Sequence, residues 1–229
     1  MIPIRDTIPC YCRPYVTWAL MAISIALFLL TRFMPQDIGQ LFLYHYGMVA
    51  ARYTHPGWAF QIGLLPDGYF SFLSSMFLHG GWWHIIMNMW FMWIFADNIE
   101  DRMGHGRFLV FYLLCGLIGS FLQFYFNPDS TAPVVGASGA IAGIMGAYFF
   151  LYPFARVVIW VPLFFLPLFF EIPAIAFLGF WVIIQLHQAT MSVVDAQAVA
   201  DVAWWGHLGG FICGMLIHPF FITASSEAD

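Results

Sequence analysis

Lysine is absent from this 229-residue chain, and charge of either sign is scarce, with seven arginines, twelve carboxylates and only 8% charged residues. Soluble domains carry roughly 25%, so the polar surface needed to coat a water-exposed globule is missing. Hydrophobic residues make up 62% of the chain and the mean hydropathy is +0.82, so lipid is the solvent for most of this protein. Alternation at period two is not sustained, which excludes a barrel. Long continuous apolar runs point instead to helices, whose backbone groups pair internally. The arginines form no basic patch, which argues against nucleic acid as a partner. Cysteine is sparse too. Cys115 and Cys213 lie inside apolar runs and read as small hydrophobes. Cys10 and Cys12 are too few ligands for a metal on their own and read as an inert or acylated juxtamembrane pair. No metal and no organic cofactor is expected. The lead before Tyr15 is polar and proline-bearing without a cleavage signature, so the first span is expected to be retained.

A span needs about 20 apolar residues. On that rule helices are expected at Tyr15–Phe33, 82–96, 106–126, 138–152, 173–187 and 206–221. The segment 34–68, rich in aromatics, glycine and proline, reads as an interfacial loop with short helices, leading into a short apolar piece at 69–78. Pro162 and Pro167 argue against one straight helix over 157–170. That stretch reads as an interfacial or partly re-entrant connector, with a seventh span as the alternative. Six spans put Arg5, Arg13, Arg102, Arg107 and Arg156 on one side and Arg32 and Arg52 on the other. The positive-inside rule then predicts cytoplasmic termini. Segments 34–68, 127–135 and 190–205 would lie outside. No internal repeat is visible. The expectation is an all-α polytopic membrane protein of one domain: a short cytoplasmic lead at 1–14, a six-helix bundle at 15–222 with a large external loop after its first helix, and a tail at 223–229.

Polar groups inside a span cost free energy, so each needs a partner or a task. Three clusters stand out. The second expected helix opens with His79-Gly-Gly-Trp-Trp-His84-Ile-Ile-Met-Asn88, the fourth with Gly136-Ala-Ser138-Gly139, and the sixth with Trp204-Trp-Gly-His207-Leu-Gly-Gly210. His84 and Asn88 are four apart and share a helical face. In the six-span topology all three clusters fall near the outer ends of their helices. A neutral histidine can take the proton of a serine and make it a nucleophile. His84, the Asn88 amide and the Ser138 N–H at a helix start are candidate donors to an oxyanion. Gly139–Gly143 and Gly210–Gly214 have the GxxxG spacing that lets membrane helices approach closely. Gly210 lies three positions after His207, on the same face. Singly, each feature has a structural reading. Ser138 caps a helix or bonds its own backbone, His207 is interfacial, and His84 and Asn88 join helices. Together, those readings make the shared depth an accident.

These residues resemble the rhomboid family of intramembrane serine proteases over about 69–214. His84-x-x-x-Asn88, Gly136-x-Ser138-Gly139 and His207-x-x-Gly210-x-x-x-Gly214 occur in the family's order. Asn98-Ile-Glu100-Asp-Arg102-Met-Gly104 is similar to its acidic–Arg–Gly stretch after the second helix, expected as a structural loop. The resemblance implies a Ser138–His207 dyad without an acidic third member, and an oxyanion site from the Ser138 N–H, His84 and Asn88. It also implies single-span or multi-span membrane substrates cut near the outer face, with no cofactor; the expected location is a bacterial inner membrane. Two positions depart from the pattern. Ala142 stands where many relatives carry an aromatic that packs on the histidine, so His207 is expected to be held by a nearby Trp or Phe, or less tightly. Tyr69-Phe70-Ser71 stands near the family's external Trp-Arg pair, so no loop role is carried over. A catalytically silent helix-binding relative and a transporter or channel are the competing readings. The intact dyad residues weigh against the first and the lack of matched repeats against the second.

Overall fold

The computed structural model describes residues 2–163, 166–194 and 202–222. Strand β1 (Ile2–Arg5) precedes helix α1 (Tyr15–Phe33), a long apolar run that ends before Pro35. The aromatic-rich segment folds as three short helices, α2 (Gln36–Tyr46), α3 (Ala51–Thr54) and α4 (Pro56–Gln61), followed by α5 (Phe70–Ser74) and a 3-10 turn at Ser75–Phe77. Helices α6 (Trp82–Met103), α7 (His105–Phe126) and α8 (Ser138–Leu151) come next. Strands β2 (Arg156–Leu163) and β3 (Leu166–Pro173) follow, and α9 (Ala174–Val194) and α10 (Trp204–Ile217) complete the bundle. Among the described residues three helices, α1, α7 and α9, are long and apolar enough to cross a membrane, and α8 is a shorter apolar helix. The chain is a mostly helical membrane protein. The expected loop at 190–205 lies partly, and the tail at 223–229 wholly, outside the described residues.

Two expectations are corrected here. The all-helical reading gives way to a three-stranded antiparallel sheet in the order β1-β2-β3. The 157–170 connector is the β2–β3 hairpin, in which Pro162 faces Pro167 and Val158 faces Glu171. The β-branched run Val157-Val-Ile159 favours a strand; all three side chains are buried, Val157 and Ile159 within the main core. The prolines, fatal to a helix, sit near the hairpin's closed end. The acidic–Arg–Gly stretch is likewise no loop: Asn98, Glu100 and Arg102 belong to the last two turns of α6.

That polar end of α6 anchors the start of the chain. Pro14 gives α1 no side-chain cap, leaving its first N–H groups without intrahelical partners. The fully buried Glu100 carboxylate supplies them, accepting from the Val16 N–H at 2.9 Å, the Thr17 N–H at 2.8 Å and the Thr17 hydroxyl at 2.6 Å. Negative charge at a helix N-terminus also complements its dipole. Asp101 accepts from the Tyr11 and Cys12 N–H groups, Asn98 donates to the Ile8 carbonyl, and the Tyr148 hydroxyl donates to Asp6. Gly104 makes the corner between α6 and α7 at φ 75°, where a Cβ would be strained. The main core lies beside this end, with Phe95, Met103, Phe108, Phe111, Tyr112 and Tyr148 fully buried.

Helices α8 and α10 pack backbone to backbone. A Cβ on Gly210 would run into the Gly139 carbonyl, and one on Gly214 into the Gly143 carbonyl. The small residues thus set the separation of the two helices.

Candidate active site

The segment before α8 is braced by the short helices. Met48 and Val134 exchange both backbone hydrogen bonds, at 3.0 and 2.8 Å, and the Ala51 N–H donates to the Ser130 carbonyl at 2.9 Å. The Gly136 N–H donates to the Ser75 carbonyl at 2.9 Å. The braced segment feeds directly into Ser138, the first residue of α8. The short helices are themselves tied down by Asp67, which accepts from Arg52 at 2.7 Å, from the Tyr53 hydroxyl at 2.8 Å and from the Tyr69 and Ser71 N–H groups at 3.0 Å. Burial works to raise the Asp67 carboxyl, but the hydrogen bonds from Tyr53 and Ser71 and the Arg52 charge outweigh it and hold its pKa below the ordinary value. Burial, with Asp67 beside it, pushes the Tyr53 hydroxyl up to about 12.

Ser138 Oγ lies 2.8 Å from His207 Nε2. It is not a helix cap: Ala137 occupies the cap position without a side-chain bond. The Ser138 N–H is one of the first-turn donors that a helix cannot pair with itself. His84 sits against the same spot. A Cβ built on Gly136 would stand 2.6 Å from His84 Nε2 and 3.7 Å from Ser138 Oγ. Gly136 holds φ at 129°, a conformation that L side chains rarely adopt, so glycine permits both the turn and the approach of the histidine. His79 packs edge-on to His84 with ring centroids 5.2 Å apart.

Asn88 is buried one turn beyond His84 and donates its amide to the His84 carbonyl at 2.8 Å, while its Oδ1 has no partner among the described residues. One of its two N–H groups is therefore engaged within α6. Gly139, Gly143, Gly210 and Gly214 lie in the α8–α10 contact described above. Glu100 and Arg102 lie at the far end of α6, away from the serine.

Two further groups complete the surroundings. Gln185 on α9 places its Oε1, an acceptor, 2.8 Å from His207 Nδ1. Trp181, one turn earlier, and Trp204 each place a ring centroid 6.0 Å from the His207 ring. The expectation of a nearby tryptophan thus has two candidates, and Ala142 is a buried methyl. Sequence reasoning missed Gln185; a single glutamine in an apolar run was the only signal. A small cleft lined by Ser120, Gln123, Gly136, Ser138, Gly206 and His207 opens beside the pair. Gln123 holds its wall by accepting from the Gly206 N–H at 3.2 Å. The arrangement offers a hydroxyl, an adjacent base, backbone and imidazole donors, and a small partly polar cleft beside them.

Elsewhere, Cys10, Cys12 and Asp101 bring their ligand atoms within 4.8 Å of one another. Both Asp101 oxygens already accept backbone N–H groups. Burial, aided by Asp101, pushes the Cys12 thiol up to about 12. The cluster reads as part of the N-terminal attachment.

A family model described as the Rhomboid domain matches residues 66–224. Rhomboid protein 1, mitochondrial, of Saccharomyces cerevisiae is 28% identical over 167 residues, covering 69% of this chain and 43% of that protein. Rhomboid protease GluP of Bacillus subtilis is 30% identical over 140 residues, covering 61% and 25%. Presenilin-associated rhomboid-like protein, mitochondrial, of Homo sapiens is 34% identical over 96 residues, covering 40% and 25%. The chain spans less than half the length of each of these relatives.

Proposed function

This chain belongs to the rhomboid family, and from that membership we propose that it is an intramembrane serine endopeptidase acting through a Ser138–His207 dyad. The observation that carries the reading is the 2.8 Å contact between Ser138 Oγ and His207 Nε2 at a helix start. In the proposed reaction His207 takes the hydroxyl proton while Ser138 Oγ attacks the scissile carbonyl. The oxyanion is met by the Ser138 N–H and His84, and by the Asn88 amide through its second N–H or after release from the His84 carbonyl. Collapse breaks the peptide bond as His207 returns the proton to the leaving amine. Water entering by the Ser120–Gln123 cleft then hydrolyses the acyl-enzyme with His207 again as base.

The substrates we propose are single-span or multi-span membrane proteins, cut near the outer face where a helix can unwind. A peptide carbonyl inside a helix is hydrogen-bonded and shielded from attack, so unwinding precedes chemistry. We read residues 15–222 as one membrane domain of six spans (α1, α6, α7, α8, α9 and α10), with the 34–68 segment external, a lead at 1–14 and a tail at 223–229. We place it in a bacterial inner membrane with both termini cytoplasmic. The arginine asymmetry supports the orientation; for the compartment, the Bacillus subtilis relative favours the bacterial placement and the mitochondrial relatives run against it.

The test uses purified protein in liposomes with a single-span substrate, alongside Ser138→Ala and His207→Ala. Each substitution is expected to lower cleavage by at least about a thousandfold. Cleavage by Ser138→Ala at the wild-type rate sinks the dyad. A wild type that neither cleaves a substrate panel nor takes up a serine-directed fluorophosphonate would establish a silent helix-binding relative instead.

A further inference from the structure

We propose that Gln185 is a positioning residue for the reaction: its side-chain carbonyl accepts the His207 Nδ1–H and so fixes the imidazole tautomer that leaves Nε2 free to take the Ser138 proton. The proposal rests on the dyad reading above. Its geometric basis is a line of two contacts through one ring, 2.8 Å from Gln185 Oε1 to Nδ1 and 2.8 Å from Nε2 to Ser138 Oγ.

A neutral imidazole has one N–H and one lone pair, and the partner of one nitrogen decides the state of the other. For Nε2 to accept from the serine hydroxyl, Nδ1 must carry the proton and needs an acceptor. The Gln185 carbonyl oxygen is in place to be that acceptor. With the amide reversed, its NH2 group would donate to Nδ1, the ring proton would sit on Nε2, and nothing would receive the serine proton. The same Nδ1–H bond persists when His207 becomes the imidazolium, so the ring need not turn during proton transfer.

Burial and surroundings support the assignment. Gln185 is 5% exposed and follows the apolar turns of α9 from Ala174 to Ile184. An amide in that position is costly unless hydrogen-bonded. The Trp181 and Trp204 rings flank the imidazole at 6.0 Å, whereas Ala142 on α8 offers only a methyl group. Helix α9 therefore contributes both a ring against His207 and the polar group that reads its far nitrogen. A neutral acceptor does this without placing an unpaired carboxylate inside the bundle.

The test compares wild type with Gln185→Met, which keeps the volume and loses the acceptor, and Gln185→Glu, which keeps an acceptor oxygen. Gln185→Asn, one methylene too short to reach Nδ1, removes the contact by a second route should methionine pack badly. Three quantities are read in liposomes at pH 8: fluorophosphonate labelling of Ser138, kcat and KM for a single-span substrate, and thermal stability. The Met and Asn variants are expected to label and turn over about tenfold more slowly, the effect of one neutral hydrogen bond, with KM little changed. Gln185→Glu is expected to recover most of that loss. A packing role predicts the opposite order, with Met near wild type and Glu worst. Wild-type labelling by Gln185→Met, or a Glu variant no faster than Met, overturns the proposal while leaving the dyad intact. If wild type neither labels nor cleaves, or Ser138→Ala matches it, the dyad falls and the role of Gln185 falls with it.

Discussion

Gly136 is the residue on which the candidate oxyanion site turns. Its φ of 129° and the His84 ring against it leave no room for a side chain. Gly136→Ala is expected to cost about 1–3 kcal/mol of stability from backbone strain. By displacing His84 and the start of α8, it is also expected to lower fluorophosphonate labelling of Ser138 by roughly a hundredfold. Wild-type labelling by a folded Gly136→Ala protein would show that the contact with His84 has no part in the chemistry. Residues of this kind were legible because they carry a spacing: Ser138, His207, His84 and their glycines recur at offsets that fit helix starts and small-residue faces. Gln185 has no such offset, and its partner lies 22 positions away on another helix. That Asn88 shares a helical face with His84 was legible from its spacing, but its bond to the His84 carbonyl was not. That bond depends on a side-chain rotamer, about which spacing is silent.

At the scale of elements, the α8–α10 contact brings the serine to the histidine, and its glycines are unequal. A Cβ on Gly210 meets the Gly139 backbone carbonyl, which cannot move aside without parting the helices, whereas a Cβ on Gly139 finds its nearest neighbour at 3.5 Å. Gly210→Ala is therefore expected to destabilise the protein by about 1–3 kcal/mol and to abolish Ser138 labelling. Gly139→Ala is expected to label near the wild-type rate. Equal behaviour of the two variants in a labelling and thermal-melt series would refute this account. The short-helix segment responds to acid through Asp67. Its folded pKa is depressed, so its contribution to stability is complete above the unfolded value near 3.9 and is lost as pH falls through the folded value. Limited proteolysis of segment 34–68 is expected to stay flat from neutral pH to about 4 and to accelerate below it. Asp67→Asn should be cleaved faster at neutral pH and lack the acid step; an acid step unchanged in that variant assigns it to another group. The elements themselves were unevenly legible. Helix α1 has the bounds its apolar run predicts. The last turns of α6 were read as a loop from their resemblance to the family's acidic–Arg–Gly stretch, whereas Asn98, Glu100 and Asp101 continue the helix and pair with residues 8–17 across the fold. The β2–β3 hairpin was hidden for a different reason: a short apolar run with prolines has no period that separates strand from helix.

For the whole molecule the open quantity is how many helices cross the bilayer, and three accessible positions decide it for α6 and α7. Among the described residues, only α1, α7 and α9 meet the length and apolarity of a span by themselves. In α6 the polar last turns lower the mean, yet Glu100 and Asp101 are paired from within the protein and the Asn98 amide donates to the Ile8 carbonyl, which lowers the cost of placing them in the interface. In α8 and α10 the helices are short, 14 residues each, and a short span is tolerated by thinning the bilayer or placing its ends in polar surroundings. The candidate site at their starts is such a surrounding. The six-span reading puts Gly57 outside, Gly106 inside and Asp129 outside. A three-span protein built on α1, α7 and α9 would put Gly57 and Gly106 on the same side, since only α6 separates them. A Cβ at Gly57 or Gly106 meets nothing within 4 Å, and the Asp129 side chain is 76% exposed, so a cysteine fits at each. Single cysteines at these positions, Gly57→Cys, Gly106→Cys and Asp129→Cys, are placed in a protein whose four native cysteines are replaced and which retains Ser138 labelling. An impermeant maleimide applied to intact cells is expected to modify Gly57→Cys and Asp129→Cys and to reach Gly106→Cys only after permeabilisation. Modification of Gly106→Cys in intact cells together with Gly57→Cys would leave α6 on the surface of the bilayer. His84 would then lie on a surface helix, away from a serine at the head of a span, and the oxyanion site proposed here could not form.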